Sequence, residues 1–374
     1  MSDVKTEYNI EITSDNLRES IIGIALDIRT EWRKHPLDEI KIRYMNGGVT
    51  NRLASCYLKK NGINTTDTLL FRIYGKNTEH FISREDEIET MKIMKQVNLG
   101  PEFFSKFKNG ICYEFLPGKI IDMNMVYDEK IYPKIARAFA SLHLINFNGF
   151  VLHSNLEPGQ SPFIFPKIRE ILNLVHEDYK AHMSHMTDDF LDKIPSRQKL
   201  LGEVDFLENY FEKIHLEHES IIVFSHNDLL LGNIIYNEKE NSVKFIDYEY
   251  AGINFQAYDI ANHFNEFAGV DNPDYSKFPS KEYQTKWLRI YLEEFYSKIN
   301  RFYSRQSGEP VLIDEERLDQ FYDEVNKFTL TSHLMWAIWS LVQAQNSDLD
   351  FDFVKYSYQR FSEYFKRKSQ LLNL

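Results

Sequence analysis

The first third of the chain alternates short apolar runs with turn residues. Ile40–Met45, Arg52–Leu58 and Thr68–Tyr74 are rich in β-branched and aromatic residues. They are parted by Asn46-Gly47-Gly48 and by a gap containing Asn61-Gly62, which predicts three strands joined by turns. The period changes at Ser83. From there to Val97 the apolar residues Ile88, Met91, Ile93, Met94 and Val97 recur at helical spacing behind a serine cap, the one helix expected in this part. Phe103–Phe107 and Ile111–Phe115 predict two further strands joined through Asn109-Gly110. Leu116-Pro117-Gly118 then breaks the pattern, because proline cannot donate to a sheet ladder and glycine frees the backbone. It marks a predicted hinge between an N-terminal lobe, residues 1–116, and a C-terminal lobe, residues 117–374.

Beyond the hinge the pattern is mainly helical. Amphipathic stretches at Tyr127–Asn146, Phe165–Tyr179 and Gln198–His215 precede three short strands, Ile221–Phe224, Ile234–Asn237 and Val243–Ile246. Helical spacing resumes at Tyr258–Phe267, Lys281–Tyr303, Glu315–Gln345 and Phe351–Lys368. The aromatic run from Phe351 to Phe365 reads as core. No internal repeat is found at a fixed period. A small β-rich lobe followed by a large helical lobe, an α/β (α+β) architecture, is what this order implies.

Composition narrows the function. With 374 residues, 43% of them hydrophobic, the chain can bury two cores. Its 44 basic against 56 acidic residues give a net charge of -12, which argues against nucleic acid as a partner. No apolar run approaches the roughly 20 residues a membrane-spanning helix needs, and the N-terminus lacks the apolar core of a secretory signal, so a cytoplasmic protein with no integral membrane association is expected. Cys56 and Cys112 are too few for a disulfide framework.

The chemistry is concentrated in Phe224-Ser225-His226-Asn227-Asp228-Leu229-Leu230-Leu231-Gly232-Asn233 and in Phe245-Ile246-Asp247-Tyr248-Glu249. An Asp, an Asn five positions on and a second Asp after an apolar run suit phosphoryl transfer, which needs placement and charge neutralisation more than covalent chemistry. Asp228 is the candidate base for an attacking hydroxyl. Asn233 and Asp247 offer the hard oxygen ligands that Mg2+ prefers, and His226 is expected to brace the loop. The plainer reading makes Asp228 and Asn233 turn caps.

This strand-loop-strand resembles the phosphotransferases of protein-kinase-like fold, aminoglycoside phosphotransferases among them. Ile246-Asp247-Tyr248-Glu249, followed by Asn254, Asp259 and Glu266, is similar to the pattern of choline and ethanolamine kinases, and the resemblance extends from about Asn46 to Lys366. Leu229-Leu230, Tyr236-Asn237-Glu238 and the stretch Ala257–Val270 look closer to the ethanolamine branch. Choline kinases usually carry Gln where this chain has Leu230.

The resemblance implies ATP and Mg2+ as cofactors, with Glu249 supporting the metal. It makes Asn46-Gly47-Gly48-Val49-Thr50-Asn51 a phosphate loop, so that Gly47, Gly48 and Asn51 would lie at the nucleotide; from the residues alone this is equally a hairpin turn. Arg72 would grip the phosphates, paired to Glu87, and the backbone of Glu114, Phe115 and Leu116 would receive the adenine. Tyr250, Glu266, Trp336, Trp339 and Tyr356 would form the amine site. Trp336 and Trp339 are three apart on a predicted helix, hence on one face, where core packing is the alternative. His182 and His185, also three apart, read as a solvated face rather than a metal site.

The activity implied is phosphorylation of a small amino alcohol, ethanolamine, to phosphoethanolamine for phospholipid head-group synthesis. Choline kinase or a dual enzyme is the alternative within the class, and an inactive nucleotide-binding scaffold is the alternative outside it. An aminoglycoside would need an open acidic cleft, at odds with the tryptophan pair. The resemblance also allows a homodimer.

Overall fold

The computed structural model describes residues 6–45, 51–59, 67–75, 83–145, 162–183, 189–218, 220–303, 313–347 and 351–372. The chain divides into two compact units, Met1–Lys119 with Asn237–Glu249, and Ile120–Tyr236 with Tyr250–Leu374. The first division falls just past Gly118. The segment Asn237–Glu249, which carries Asp247, groups with the N-terminal residues, whereas a single cut at 116/117 puts it in the C-terminal lobe.

The first unit is built on a six-stranded sheet. Its strands are β1 (Glu7–Tyr8), β2 (Ile40–Met45), β3 (Asn51–Leu58), β4 (Leu69–Tyr74), β5 (Phe103–Phe107) and β6 (Gly110–Glu114), in the spatial order β1-β5-β6-β4-β3-β2. All neighbours are antiparallel except β1 with β5. Side chains alternate across a strand, so Leu69, Phe71 and Ile73 of β4 face one way and Leu70 and Arg72 the other. The first set packs with Cys56, Cys112 and a helix, Leu17–Ile28, through Ile21, Ile24 and Ala25. Both cysteines are buried and free. Leu70 instead packs with Ile88 and Met91 of the helix Arg84–Gln96. Ser83 caps that helix by accepting the Asp86 N–H at 3.4 Å, and three acidic residues fill its first turn, where the helix dipole favours them.

The Leu17–Ile28 helix corrects the expectation of a single helix in this part of the chain. Its apolar residues Leu17, Ile21, Ile24, Ala25 and Ile28 do follow a helical period.

The second unit is dominated by helices. The longest, Glu315–Asn346, has 32 residues and is buried on every side from Thr329 to Ala344. It packs against Gln256–Asn265, Phe353–Leu371 and Ile164–Leu174, so its side chains meet several of the segments that carry the candidate motifs. Strand Ile222–Ser225 pairs antiparallel with Gly252–Phe255, a strand too short and glycine-led to show in the sequence pattern. Among the described residues no helix is long and apolar enough to cross a membrane.

Candidate active site

In the first unit the polar cluster forms where β4 faces the helix Arg84–Gln96. Strand alternation turns Arg72 toward that helix, and its Nη1 donates to Asp247 Oδ1 at 2.5 Å while the guanidinium pairs with Glu87. Arg72 and Glu87 are 5% and 2% exposed, so this is an interior ion pair and not a surface charge. A second arginine joins from the helix start. Arg84 Nη1 donates to Glu249 Oε2 at 3.0 Å and to Glu87 Oε2 at 3.1 Å, and its guanidinium lies 3.8 Å from the centroid of the Tyr74 ring. Nothing in the sequence pattern singles Arg84 out.

One ligand oxygen from each of Glu87, Asp247 and Glu249 lies within 4.8 Å of the others. Among the described residues, these three carboxylates are paired to Arg72 and Arg84. Burial pushes the Glu249 carboxyl up, and neighbouring Asp247 adds to this, while Arg72 and Arg84 oppose it. Asp247 itself sits two residues past the strand Ser242–Phe245 at φ 67°, a left-handed conformation that Asp tolerates better than most residues. A set of converging hard oxygens fits Mg2+.

The other nucleotide candidates are less converged. Gly47 and Gly48 lie outside the described residues. Asn51 begins β3, and its Oδ1 accepts the Gly75 N–H at 3.4 Å. The Glu114 N–H bonds Glu102 O at 2.8 Å and the Phe115 N–H bonds Thr68 O at 3.2 Å. With those two N–H groups engaged, Leu116 N–H is the backbone donor of the three that forms no bond among the described residues. The Glu114 carboxylate is held by Lys95 Nζ at 2.7 Å and by the Glu102 N–H at 3.0 Å.

In the second unit the Asp228 loop is held from beneath by Asp259, on the helix Gln256–Asn265. One Asp259 oxygen accepts the His226 N–H and the other the Asn227 N–H, each at 2.7 Å, and His143 Nε2 lies 3.0 Å away. Burial alone would raise the Asp259 pKa, yet the His143 and His226 contacts carry it below the ordinary carboxylate value. Asn227, at φ 65°, ties the loop to Tyr250 O through Nδ2 at 2.9 Å and accepts Asn254 Nδ2 at 2.7 Å. His226 braces the turn as expected, its Nδ1 accepting the Asp228 N–H at 3.4 Å. Asn233 Nδ2 donates to Asp228 O at 2.8 Å, which leaves the side-chain carbonyl as its ligand atom.

The five amine-site candidates are all buried in this unit and fall into two contacting groups, Tyr250 with Trp336 and Trp339, and Glu266 with Tyr356 through Arg360. Tyr250 and Trp336 meet edge to face at 5.3 Å, and Trp336 and Trp339 at 5.6 Å. Trp339 Nε1 donates to Tyr250 Oη at 2.9 Å and Trp336 Nε1 to Asn262 Oδ1 at 2.7 Å. Glu266 pairs with Arg360, whose Nε donates to Tyr356 Oη at 2.9 Å. Asp259, Asn262 and Glu266 fall at helical intervals along one face, which is how one helix serves both the Asp228 loop and the aromatic cluster. Glu266 also lines a cavity of ≈ 240 Å³ with Leu230, Leu231, Gly232, Gly269 and Asp271, so the chain after Asp228 and the residue proposed for the ammonium border the same space. His182 is exposed and stacks on His176 at 4.8 Å, and His185 lies outside the described residues.

The family model described as choline/ethanolamine kinase matches residues 42–365. The chain is 36% identical over 358 residues to ethanolamine kinase 1 of Mus musculus, covering 96% of this chain and 91% of that one. Among solved structures, an ethanolamine kinase of Plasmodium vivax superposes with a TM-score of 0.73 at 27% identity, covering 95% and 90% of the two chains. A choline kinase from Cryptosporidium parvum gives a TM-score of 0.73 at 25% identity over 95% and 96%. The small sheet unit and larger helical unit are thus those of a protein-kinase-like phosphotransferase, and the chain belongs to the choline/ethanolamine kinase family.

Proposed function

We propose that the protein transfers the γ-phosphoryl group of ATP to the hydroxyl of ethanolamine, giving phosphoethanolamine and ADP. The observation that carries this is the Asp228 loop. Asp259 fixes two of its backbone N–H groups, and Asn233 donates back to Asp228 O, so base and ligand are preorganised on one turn. The choice of amine follows the ethanolamine kinase relatives.

In this reading Asp228 accepts the hydroxyl proton as the substrate oxygen bonds to the γ-phosphorus and the bond to the β-phosphate oxygen breaks. Arg72, held by Glu87, grips the phosphates, covered by Gly47-Gly48 with Asn51 beside them. The adenine meets the backbone of residues Glu114, Phe115 and Leu116. Asn233, Asp247 and Glu249 are the residues for Mg2+, which when bound neutralises phosphate charge. Glu266 and the faces of Tyr250, Trp336, Trp339 and Tyr356 receive the ammonium. The substrates and product are small and water-soluble, which suits a cytoplasmic enzyme feeding phospholipid head-group synthesis.

The aromatic cluster favours one second reading, a choline kinase or dual enzyme, because a quaternary ammonium binds mainly through cation–π contact. Steady-state kinetics with Mg·ATP and each amine separate the two. A higher kcat/KM for ethanolamine is expected; a clear preference for choline overturns the substrate assignment.

A further inference from the structure

Glu266 is not a free charge. The guanidinium of Arg360, 1% exposed, pairs with its Oε1, and no other bond to that carboxylate forms among the described residues. Arg360 Nη2 and Nε also donate to Tyr356 Oη at 2.6 and 2.9 Å, and Nη1 lies 3.4 Å from His333 Nδ1. Tyr356 and Arg360 are four apart on the helix Phe353–Leu371, which brings them together on one face. The interior imidazole of His333 stays neutral, because burial, and then Arg360 itself, hold its pKa well below the ordinary value. Glu266 is therefore the carboxylate that balances the guanidinium.

This arrangement fixes what each group can offer a ligand. A phenol oxygen that takes two N–H bonds has its acceptor capacity filled, so Tyr356 can meet an ammonium through its ring and not through its oxygen. Glu266 keeps Oε2 available, and its residue lines the ≈ 240 Å³ cavity beside Leu230 and Gly232. The planar fork of Arg360 reaches carboxylate, phenol and imidazole at once. A lysine ammonium could not serve all three from one point.

We propose that Arg360 is a positioning residue of the amine site: it holds Glu266 and Tyr356 in one arrangement, so that the ammonium end of the substrate meets a single fixed carboxylate oxygen. The proposal rests on the amino-alcohol kinase reading above. Arg360 acts through Glu266 and touches no reacting atom.

The test compares wild type, Arg360→Lys, Glu266→Gln and the double variant for kcat, KM of each substrate and thermal melting. Arg360→Lys should raise the KM for ethanolamine about tenfold or more, the loss of a charge-assisted bond, with kcat and the KM for ATP within about twofold. In the Glu266→Gln background the same change should raise the amine KM by less than about twofold, since residues acting through one another are not additive. An unchanged amine KM in a folded Arg360→Lys protein overturns the proposal, as do parallel rises in both KM values or fully additive effects. Should Arg360→Lys not melt cooperatively, Tyr356→Phe decides. It keeps the ring but frees the guanidinium, and a rise in amine KM without a rise in ATP KM supports the proposal, while unchanged kinetics overturn it. If wild type ignores ethanolamine but phosphorylates another amino alcohol, the substrate assignment falls and Arg360 is judged by the KM for that alcohol. If no amino alcohol is phosphorylated, both fall.

Discussion

Asp259 holds Asn227 in a left-handed turn: its Oδ1 accepts the Asn227 backbone N–H at 2.7 Å while Asn227 sits at φ 65°. The same carboxylate takes the His226 N–H and faces His143, all fully interior. Asp259→Asn presents an amide N–H to one of these donors. It should cost about 1–3 kcal/mol in urea unfolding, the penalty for leaving a buried donor without its acceptor. Misplacing the Asp228 loop should also lower kcat by up to about 10²-fold in the protein that remains folded. Normal turnover would show that the loop keeps its shape without this anchor.

The two candidate catalytic aspartates should both be needed for turnover. Asp228→Asn should lower kcat by about 10²–10⁴-fold, the usual worth of a positioned base. Asp247→Asn should also cripple turnover, but it weakens the 2.5 Å bond from interior Arg72 as well, with an added loss of about 1–3 kcal/mol. Melting curves beside single-turnover rates check both parts, and near-normal turnover by either variant would break its assignment.

Much of this was legible because the site lies on short polar interruptions of strongly apolar segments. Arg72 stands in Leu-Leu-Phe-Arg-Ile-Tyr, where strand alternation alone predicts the face it shares with Leu70. Its pairing with Glu87 comes from the family resemblance, since a lone arginine in a strand otherwise reads as a surface charge. Arg84 and Arg360 were not legible, because each acts on a residue far along the chain: Arg84 on Glu249 and Arg360 on Glu266. In sequence Arg84 is one of several charges at a helix start, and Arg360 is a polar break in an aromatic run. Their roles appear only when tertiary contacts show which carboxylates they neutralise. Trp336 and Trp339 were placed together by helical spacing, yet the partners of their indole N–H groups, Asn262 and Tyr250, come from other segments.

Acid should loosen the same region. Burial depresses the His263 pKa to about 4 from an ordinary 6.5, only partly opposed by its bond to Leu229 O at 2.9 Å. Between these values the unfolded chain binds the proton and the folded chain does not, so stability falls as pH drops from about 6.5 toward 4. The shift corresponds to about 3 kcal/mol. His333 is depressed in the same direction and contributes with the same sign. His263→Gln should therefore reduce the pH slope of the urea midpoint without abolishing it, and an unaltered slope would mean that His263 is not the group involved.

Trp339 tests whether the aromatic cluster is a binding site or only core. It is 7% exposed, and its Nε1 donates to Tyr250 Oη at 2.9 Å. Truncation to alanine would confuse the two roles, since removing a buried tryptophan costs about 3–5 kcal/mol whatever its function. Trp339→Phe keeps an aromatic ring but removes the N–H and weakens the cation–π face. A contact of that kind is worth about 0.5–2 kcal/mol, so the KM for ethanolamine should rise by about 2- to 30-fold. The KM for ATP should hold, and kcat should change little. A folded variant with unaltered amine KM and a lowered melting temperature would instead assign Trp339 to the core.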